Sequence, residues 1–267
     1  MSNFSISELT TFRWTFEDDV HEYRRAGVSA LSVWRHKLSD FGEGRGIELL
    51  AESGMAVSSL FWAGGFTGND GRTYRESVED ARDALQLARE LRAPCLIVHS
   101  GTRNGHTRNH ARRLLKSALG ELLPLADEFG VTLALEPMHH DCAGEFTFLT
   151  DLDDAREFLS DIGSDRVKMV FDTFHFGQSE RVLERLGDLV DHIAVVHLAD
   201  VMGRPTAEQN RCRLGNGSVP LEPILRTLRQ TGYDGYYELE LMGEEIESSD
   251  YVELLEHSRD MFAKLVD

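Results

Sequence analysis

The sequence predicts an α/β protein, a single (β/α)8 TIM barrel over residues 1–267, and three observations carry that prediction. Short apolar runs alternate with longer amphipathic stretches, eight such runs occur, and no glycine-rich phosphate loop follows the first one. Strict alternation of strand and helix builds a parallel sheet, and eight repeats close that sheet into a barrel. The main competing fold, a doubly wound open sheet, usually carries a GxGxxG turn after its first strand.

The apolar runs are interpreted as buried parallel strands, because a strand covered on both faces is apolar along its length. After the first run, the segment LTTFRW (residues 9–14) contains no glycine, which argues against the open sheet. The predicted strands are residues 4–9, 28–33, 56–61, 95–99, 131–136, 167–171, 193–198 and 236–241.

The intervening segments repeat apolar residues at three- and four-residue spacing, which is the period of an amphipathic helix. The clearest case is residues 73–92, where Val78, Ala81, Leu85 and Ala88 share one face. Glycine or proline often stands between a helix and the next strand, as expected of a stop signal. The predicted helices are residues 17–26, 43–53, 73–92, 109–129, 151–162, 220–231 and 250–266.

Composition bears on the partners of the chain. The formal net charge is −18, from 28 basic and 46 acidic residues. Nucleic acids and anionic membranes are bound mainly through Lys and Arg, so neither class of partner is expected. Cys95, Cys142 and Cys212 are odd in number and lack CxxC spacing, which is typical of a reducing compartment. Because no signal peptide or membrane-spanning run is recognised, we expect a cytoplasmic enzyme.

Acidic and histidine side chains follow four successive predicted strands. Runs five to seven end at Glu136, Asp172 and His197, and run eight carries Glu238 and Glu240. In a barrel of this kind the active site lies at the C-terminal ends of the strands. Carboxylates crowded there repel one another, and a cation removes that penalty. The pattern therefore predicts one divalent metal: Mn²⁺, Mg²⁺ or Co²⁺ by ligand hardness, with Zn²⁺ as an alternative.

Two choices stay open on pattern alone. Alternation along a strand directs Glu238 and Glu240 to the same side, and Glu240 lies nearer the mouth of the barrel. Trp34 and Trp62 follow the second and third strands, where they would line a pocket for sugar C–H faces or would simply pack strand against helix.

The motifs at these positions resemble those of the xylose-isomerase-like superfamily, in particular its tagatose-3-epimerase and inosose-dehydratase branch of sugar isomerases and epimerases. The resemblance covers the C-terminal half well, and the N-terminal half matches mainly in its strand–helix rhythm. It implies a metal-dependent enzyme with a small carbohydrate substrate, and barrels of this family often form homo-oligomers. The motifs are LALEPMHH (133–140), VFDTFHFG (170–177), VVHLADV (195–201), RCRLGNGSVPL (211–221) and GYDGYYELEL (232–241).

The resemblance also implies a ligand set. Glu240 stands five residues after Gly235, as in the family's GYDGxxxxE pattern, and this favours it over Glu238. The implied metal ligands are Glu136, Asp172, His197 and Glu240.

Two further residues are implied to hold substrate oxygens. These are His175 of the DTFH motif and Arg211, which precedes the Gly-x-Gly of the family. The family usually has proline where Leu214 stands, so the shape of this loop is not fixed by the resemblance.

In epimerases of this kind two carboxylates flank the carbon whose proton moves, and the resemblance assigns these catalytic roles to Glu136 and Glu240. One removes a proton α to a carbonyl, the metal stabilises the enediolate, and the other returns a proton. The same intermediate can expel a β-leaving group, which would make the protein a lyase of a keto-sugar or inosose. An acid over the leaving oxygen would decide, and His99, His139 and His140 are the candidates to contact it.

Two other functions, a sugar-binding barrel without activity and a DNA-repair endonuclease, agree less well with the sequence. A barrel that only binds sugar is disfavoured, because a binding module has no need of paired carboxylates. An apurinic endonuclease of the same superfamily requires an Asp-x-His after the seventh strand, and this chain has Arg211-Cys212-Arg213 there instead. Together with the net charge of −18, this argues against DNA repair.

Overall fold

A computed structural model describes residues 3–266 and confirms the predicted barrel. The barrel strands are β1 (Phe4–Ser7), β2 (Ala30–Trp34), β3 (Ala56–Gly64), β4 (Cys95–His99), β5 (Thr132–Leu135), β6 (Val167–Asp172), β7 (Ile193–Leu198) and β10 (Tyr237–Leu239). These eight strands close in the order β1-β10-β7-β6-β5-β4-β3-β2. Every neighbouring pair is parallel, as the alternation of strand and helix requires.

Each of the eight predicted runs contains a strand, but the predicted bounds are wrong at several ends. The first run was expected to reach residue 9, and β1 stops at Ser7. The third was expected to stop at residue 61, and β3 continues to Gly64, where it pairs with His99 of β4. The end of β3 is set by its pairing with β4, which the apolar pattern does not record.

All seven predicted helices are present, and four short helices were not predicted. The predicted segment 73–92 is a helix over Tyr74–Glu90, which Thr73 and Glu76 close with a capping box. The helices are α1 (Phe16–Arg25), α2 (Arg35–Phe41), α3 (Glu43–Ser53), α4 (Tyr74–Glu90), α5 (Arg108–Phe129), α6 (Leu152–Ile162), α7 (Thr173–Phe176), α8 (Val182–Leu189), α9 (Leu221–Gln230), α10 (Glu244–Glu247) and α11 (Tyr251–Val266). Among the described residues, none of these helices is long and apolar enough to cross a membrane.

The core has two parts. A small cluster fills the barrel interior, and a larger one packs the outer faces of the strands against the helices. In the interior cluster, Ile97, Ala134, Val170 and Val195 are fully buried on four neighbouring strands. This apolar plug closes the barrel, so polar chemistry is confined to the mouth and to the few buried polar groups beside it.

A two-stranded antiparallel hairpin after β7 was not predicted. It pairs β8 (Asp200–Val201) with β9 (Arg211–Cys212), and it carries Arg211 back toward the mouth. Asp200 fixes the following loop. Its Oδ2 accepts from the backbone N–H groups of Gly215 (3.1 Å) and Gly217 (2.9 Å), and its Oδ1 accepts from that of Val219 (3.0 Å). A side chain on Gly217 would collide with this carboxylate, so glycine is required there. Leu214, at the position where the resembling family usually has proline, is fully buried in this loop.

We expect Asp200→Ala to lower the free energy of unfolding by more than about 2 kcal/mol, because three backbone N–H groups, one of them buried and two part-buried, lose a charged acceptor. Urea denaturation followed by circular dichroism measures the change. The matched control is Asp191→Ala, which removes an exposed carboxylate and should cost less than about 0.5 kcal/mol. Equal losses in the two variants would contradict the role assigned to Asp200.

Candidate metal centre and cavity

The structure brings the four predicted ligands together at the mouth of the barrel. One ligand atom from each of Glu136, Asp172, His197 and Glu240 lies within 4.8 Å of the others, and all four side chains are buried. The parallel ladder explains the convergence, because Asp172 of β6 pairs with His197 of β7. Glu136 and Glu240 lie one residue beyond their strands, and their backbone N–H groups continue the ladder to Val98 O (3.1 Å) and Leu198 O (3.0 Å).

His197 lies between the carboxylates of this cluster. Its Nδ1 is 3.2 Å from Glu136 Oε1 and 3.4 Å from Glu240 Oε2, yet neither ring nitrogen makes a well-formed hydrogen bond. Three buried carboxylates and one imidazole are the donor set that hard or borderline divalent cations accept. The donors present therefore fit a metal ion.

Burial and charge separate the two glutamates. Burial raises the pKa of Glu240 to about 7, although His197 and Arg211 act in the opposite direction. Burial also opposes ionisation of Glu136, but the close imidazoles of His197 and His99 hold the pKa of that carboxyl well below its usual range. Environment alone thus makes two chemically equal side chains unequal.

Arg211 is the guanidinium that compensates the cluster. Its Nη2 donates to Asp172 Oδ2 at 2.9 Å and lies 3.3 Å from Glu240 Oε1, while its Nη1 donates to Glu240 O at 3.1 Å. The guanidinium also stacks over the ring of Phe174 at 4.3 Å. The resemblance implied a substrate contact for Arg211. The structure shows that it also holds two of the candidate ligands in place.

His175 and His99 lie in the same buried space. His175 Nε2 is 3.7 Å from Asp172 Oδ2, and burial lowers the pKa of this imidazole to about 4 although Asp172 opposes the shift. His99 Nε2 lies 2.8 Å from Glu136 Oε2, and its ring stacks on Trp62 with centroids 4.8 Å apart. The sequence offered His99 as a candidate to contact substrate, but it did not reveal the pairing with Glu136, which depends on the β4–β5 register.

A cavity of about 590 Å³ opens above the cluster. Trp34 and Trp62 both line it, as the interpretation of these residues as pocket walls requires. Trp34 is held by Glu8, whose Oε2 accepts from its backbone N–H at 2.6 Å, a support that the sequence did not indicate. Other lining residues that the sequence analysis missed are Leu9, His36, Phe61, Met138, Asp141, Cys142, Gly144, Glu145, Phe146, Ala207, Gln209 and Met242.

Four predicted site residues do not line this cavity: Asp172 and His197 of the cluster, and His139 and His140. His139 lies beside His140 and Asp141, and the ligand atoms of these three residues lie within 4.8 Å of one another. Their groups face each other, with His139 Nδ1 3.7 Å and His140 Nε2 3.3 Å from the Asp141 carboxylate. A substrate contact by His139 stays a prediction.

Glu238 lies deeper than Glu240, on the far side of the His197 ring. Its Oε2 is 3.4 Å from His197 Nε2, whereas Glu240 faces Nδ1. The structure therefore brings Glu240, and not Glu238, into the ligand cluster.

A family model described as xylose isomerase-like TIM barrel matches residues 21–264. The chain belongs to this family. The match covers most of the chain, including all four clustered side chains.

Similar proteins include sugar isomerases and epimerases. Inosose isomerase of Halalkalibacterium halodurans is 26% identical over 219 residues, which are 79% of this chain and 74% of that protein. D-psicose 3-epimerase of Enterocloster bolteae is 33% identical over 121 residues, which are 44% of this chain and 36% of that protein. The solved structure of IOLI protein with a bound zinc atom superposes with a TM-score of 0.85 at 20% identity, covering 100% of this chain and 98% of that one.

We expect Arg211→Met to lower the free energy of unfolding by about 3–5 kcal/mol when measured in chelator, because Asp172 and Glu240 then stay buried without their guanidinium. Arg226→Met is the matched control, since Arg226 forms an exposed pair with Glu222 that should contribute less than about 1 kcal/mol. Chemical denaturation of both variants tests the difference. Similar losses would show that Arg211 does not compensate the cluster.

Proposed function

We propose that this protein is a divalent-metal-dependent isomerase or epimerase of ketoses or related polyols. The observation that carries the proposal is the cluster of Glu136, Asp172, His197 and Glu240, of which Glu136 and Glu240 line a cavity that also has aromatic lining residues. The relatives of this chain include inosose isomerase and D-psicose 3-epimerase, which supports the same reaction class.

The four clustered side chains would hold the metal. We propose Mn²⁺ first, on the hardness of three carboxylates, with Mg²⁺, Co²⁺ and Zn²⁺ as alternatives. Zinc gains support from the zinc atom bound in the IOLI protein structure. When bound, such an ion supplies Lewis-acid polarisation of the substrate oxygens.

Glu136 and Glu240 are the proposed acid–base pair. Their carboxylates lie 3.2 and 3.4 Å from the same atom, His197 Nδ1, so a substrate carbon held near this point would have both carboxylates within reach. One removes the proton α to the carbonyl, and the other returns a proton to the opposite face or to the neighbouring carbon. His99 holds Glu136 through its Oε2, which fixes the direction from which that carboxylate approaches.

The cavity walls favour an uncharged sugar. Trp34 and Trp62 offer flat apolar faces to C–H groups, and His175 is placed to bind a substrate oxygen. Among the described residues that line the cavity, Arg211 is the one Lys or Arg side chain, and it already binds Asp172 and Glu240. The described residues that line the cavity therefore include no unpaired Lys or Arg side chain for a phosphate group, so we propose a substrate without phosphate.

A lyase is the second candidate function. It is favoured by His99, whose buried Nδ1 has no hydrogen-bond partner although Nε2 is paired with Glu136. In its protonated form this imidazole would keep Nε2–H on Glu136 and carry a second N–H at Nδ1, which could be transferred to a leaving oxygen. The enediolate is common to both reactions, so only the product distinguishes them.

We expect the purified protein, stripped with chelator, to bind one Mn²⁺ per chain in isothermal titration calorimetry. His197→Ala should weaken binding by at least about tenfold, because even groups that only support a ligand contribute that much. The exposed His21→Ala is the matched control and should bind like the wild type. A wild-type protein that takes up no Mn²⁺, Co²⁺ or Zn²⁺ would rule out the proposed centre.

We expect the metal-loaded protein to exchange a carbon-bound hydrogen of its substrate for deuterium in D₂O. A panel of ketoses, inososes and 3-keto-glycosides, each with and without phosphate, is followed by NMR and mass spectrometry. Exchange without loss of water indicates an isomerase or epimerase, and elimination indicates the lyase.

Glu240→Gln serves as the control for this panel. It should remove turnover while leaving the circular dichroism spectrum unchanged, because an amide does not act as a general acid or base at neutral pH. Undiminished exchange in that variant would refute the two-carboxylate mechanism.

A further inference from the structure

Glu238 is a fully buried carboxylate that the ligand cluster does not use. It lies in β10, where its Cα pairs with Ser5 of β1 on one side and with His197 of β7 on the other. Its solvent exposure is 0%. A buried carboxylate costs several kcal/mol unless strong partners compensate it, so its presence inside the barrel calls for a physical reason.

The contacts of Glu238 connect it to the metal centre through one residue. Its Oε2 accepts from Ser59 Oγ at 3.1 Å and lies 3.4 Å from His197 Nε2. Ser59 Oγ is in turn 2.6 Å from Ser32 Oγ. A chain of polar groups thus crosses the barrel interior from β2 to β7 and ends on the imidazole.

The two nitrogens of His197 face different partners. Nδ1 faces Glu136 and Glu240 at 3.2 and 3.4 Å, whereas Nε2 faces Glu238. A neutral imidazole has one N–H and one lone pair. If Nε2–H is directed at Glu238, the lone pair stays on Nδ1, on the side where the ligand atoms converge.

We propose that Glu238 is a positioning residue that fixes the tautomer and ring orientation of His197 for metal binding through Nδ1. The inference rests on the metal centre of the proposed function. A carboxylate behind a metal-bound imidazole also makes the ligand nitrogen more basic, and losing such a partner typically weakens metal binding about 10- to 100-fold.

Glu238 is not itself a ligand in this arrangement. The imidazole ring separates its Oε2 from the side on which Nδ1, Glu136 and Glu240 meet. The two glutamates therefore have different roles in this proposal. Glu240 would face the ion, and Glu238 lies behind the His197 ring.

Zn²⁺ and Mn²⁺ titrations of the full chain test the proposal, using the wild type, Glu238→Leu and Glu238→Gln. We expect Glu238→Leu to bind about 10- to 100-fold more weakly. Glu238→Gln keeps an acceptor oxygen and should lose less. The control is Ser58→Ala on β3. The buried Ser58 hydroxyl has no hydrogen-bond partner among the described residues, so this variant should bind both ions like the wild type.

Long-range ¹H–¹⁵N NMR of the zinc-loaded wild type reads the tautomer directly, so the test does not depend on the Leu variant folding. We expect the zinc-shifted nitrogen of His197 to be Nδ1 and the protonated one to be Nε2. Coordination through Nε2, or wild-type affinity in a folded Glu238→Leu protein, would overturn the role of Glu238 alone. A wild type that binds neither ion would instead overturn the metal centre itself.

Discussion

The crowding of carboxylates at one end of a barrel is the constraint on which the site depends. Glu136, Asp172, Glu238 and Glu240 are all buried there, and Arg211 brings one permanent positive charge to them. In a medium of low polarity such charges repel strongly, and each must be compensated. The guanidinium, His197 and a divalent cation are three ways to meet the same electrostatic demand. Arg211 and His197 each contact two of these carboxylates or more.

The strands and the clustering of four polar side chains could be predicted for one reason. A parallel strand inside a barrel is apolar until it reaches the mouth, so the first polar side chain after each run marks both the end of the strand and the site. Asp172 and His197 illustrate this, since each ends an apolar run and the two are paired across the sheet. Periodicity could not choose between Glu238 and Glu240, because both point inward and they differ only in depth.

Features built by contacts between distant residues left no local pattern. The β8–β9 hairpin has two residues in each strand, and Asp200 secures the following loop through backbone groups 15 to 19 positions away. The pairing of His99 with Glu136 depends on the register of β4 and β5. Such features are set by tertiary geometry, and a reader of the sequence sees only the separate residues.

The hairpin has a consequence for how this barrel can diverge. Residues 202–210 between its strands are largely exposed, although Ala207 and Gln209 reach the cavity wall. Because the β8–β9 pair anchors both ends of this segment and Gln209 Oε1 accepts from Arg211 Nε at 3.2 Å, we expect changes confined to residues 202–208 to leave Arg211 in place. Substitutions at the tip of the hairpin can therefore change which molecules fit the rim of the cavity while the buried charged cluster stays the same.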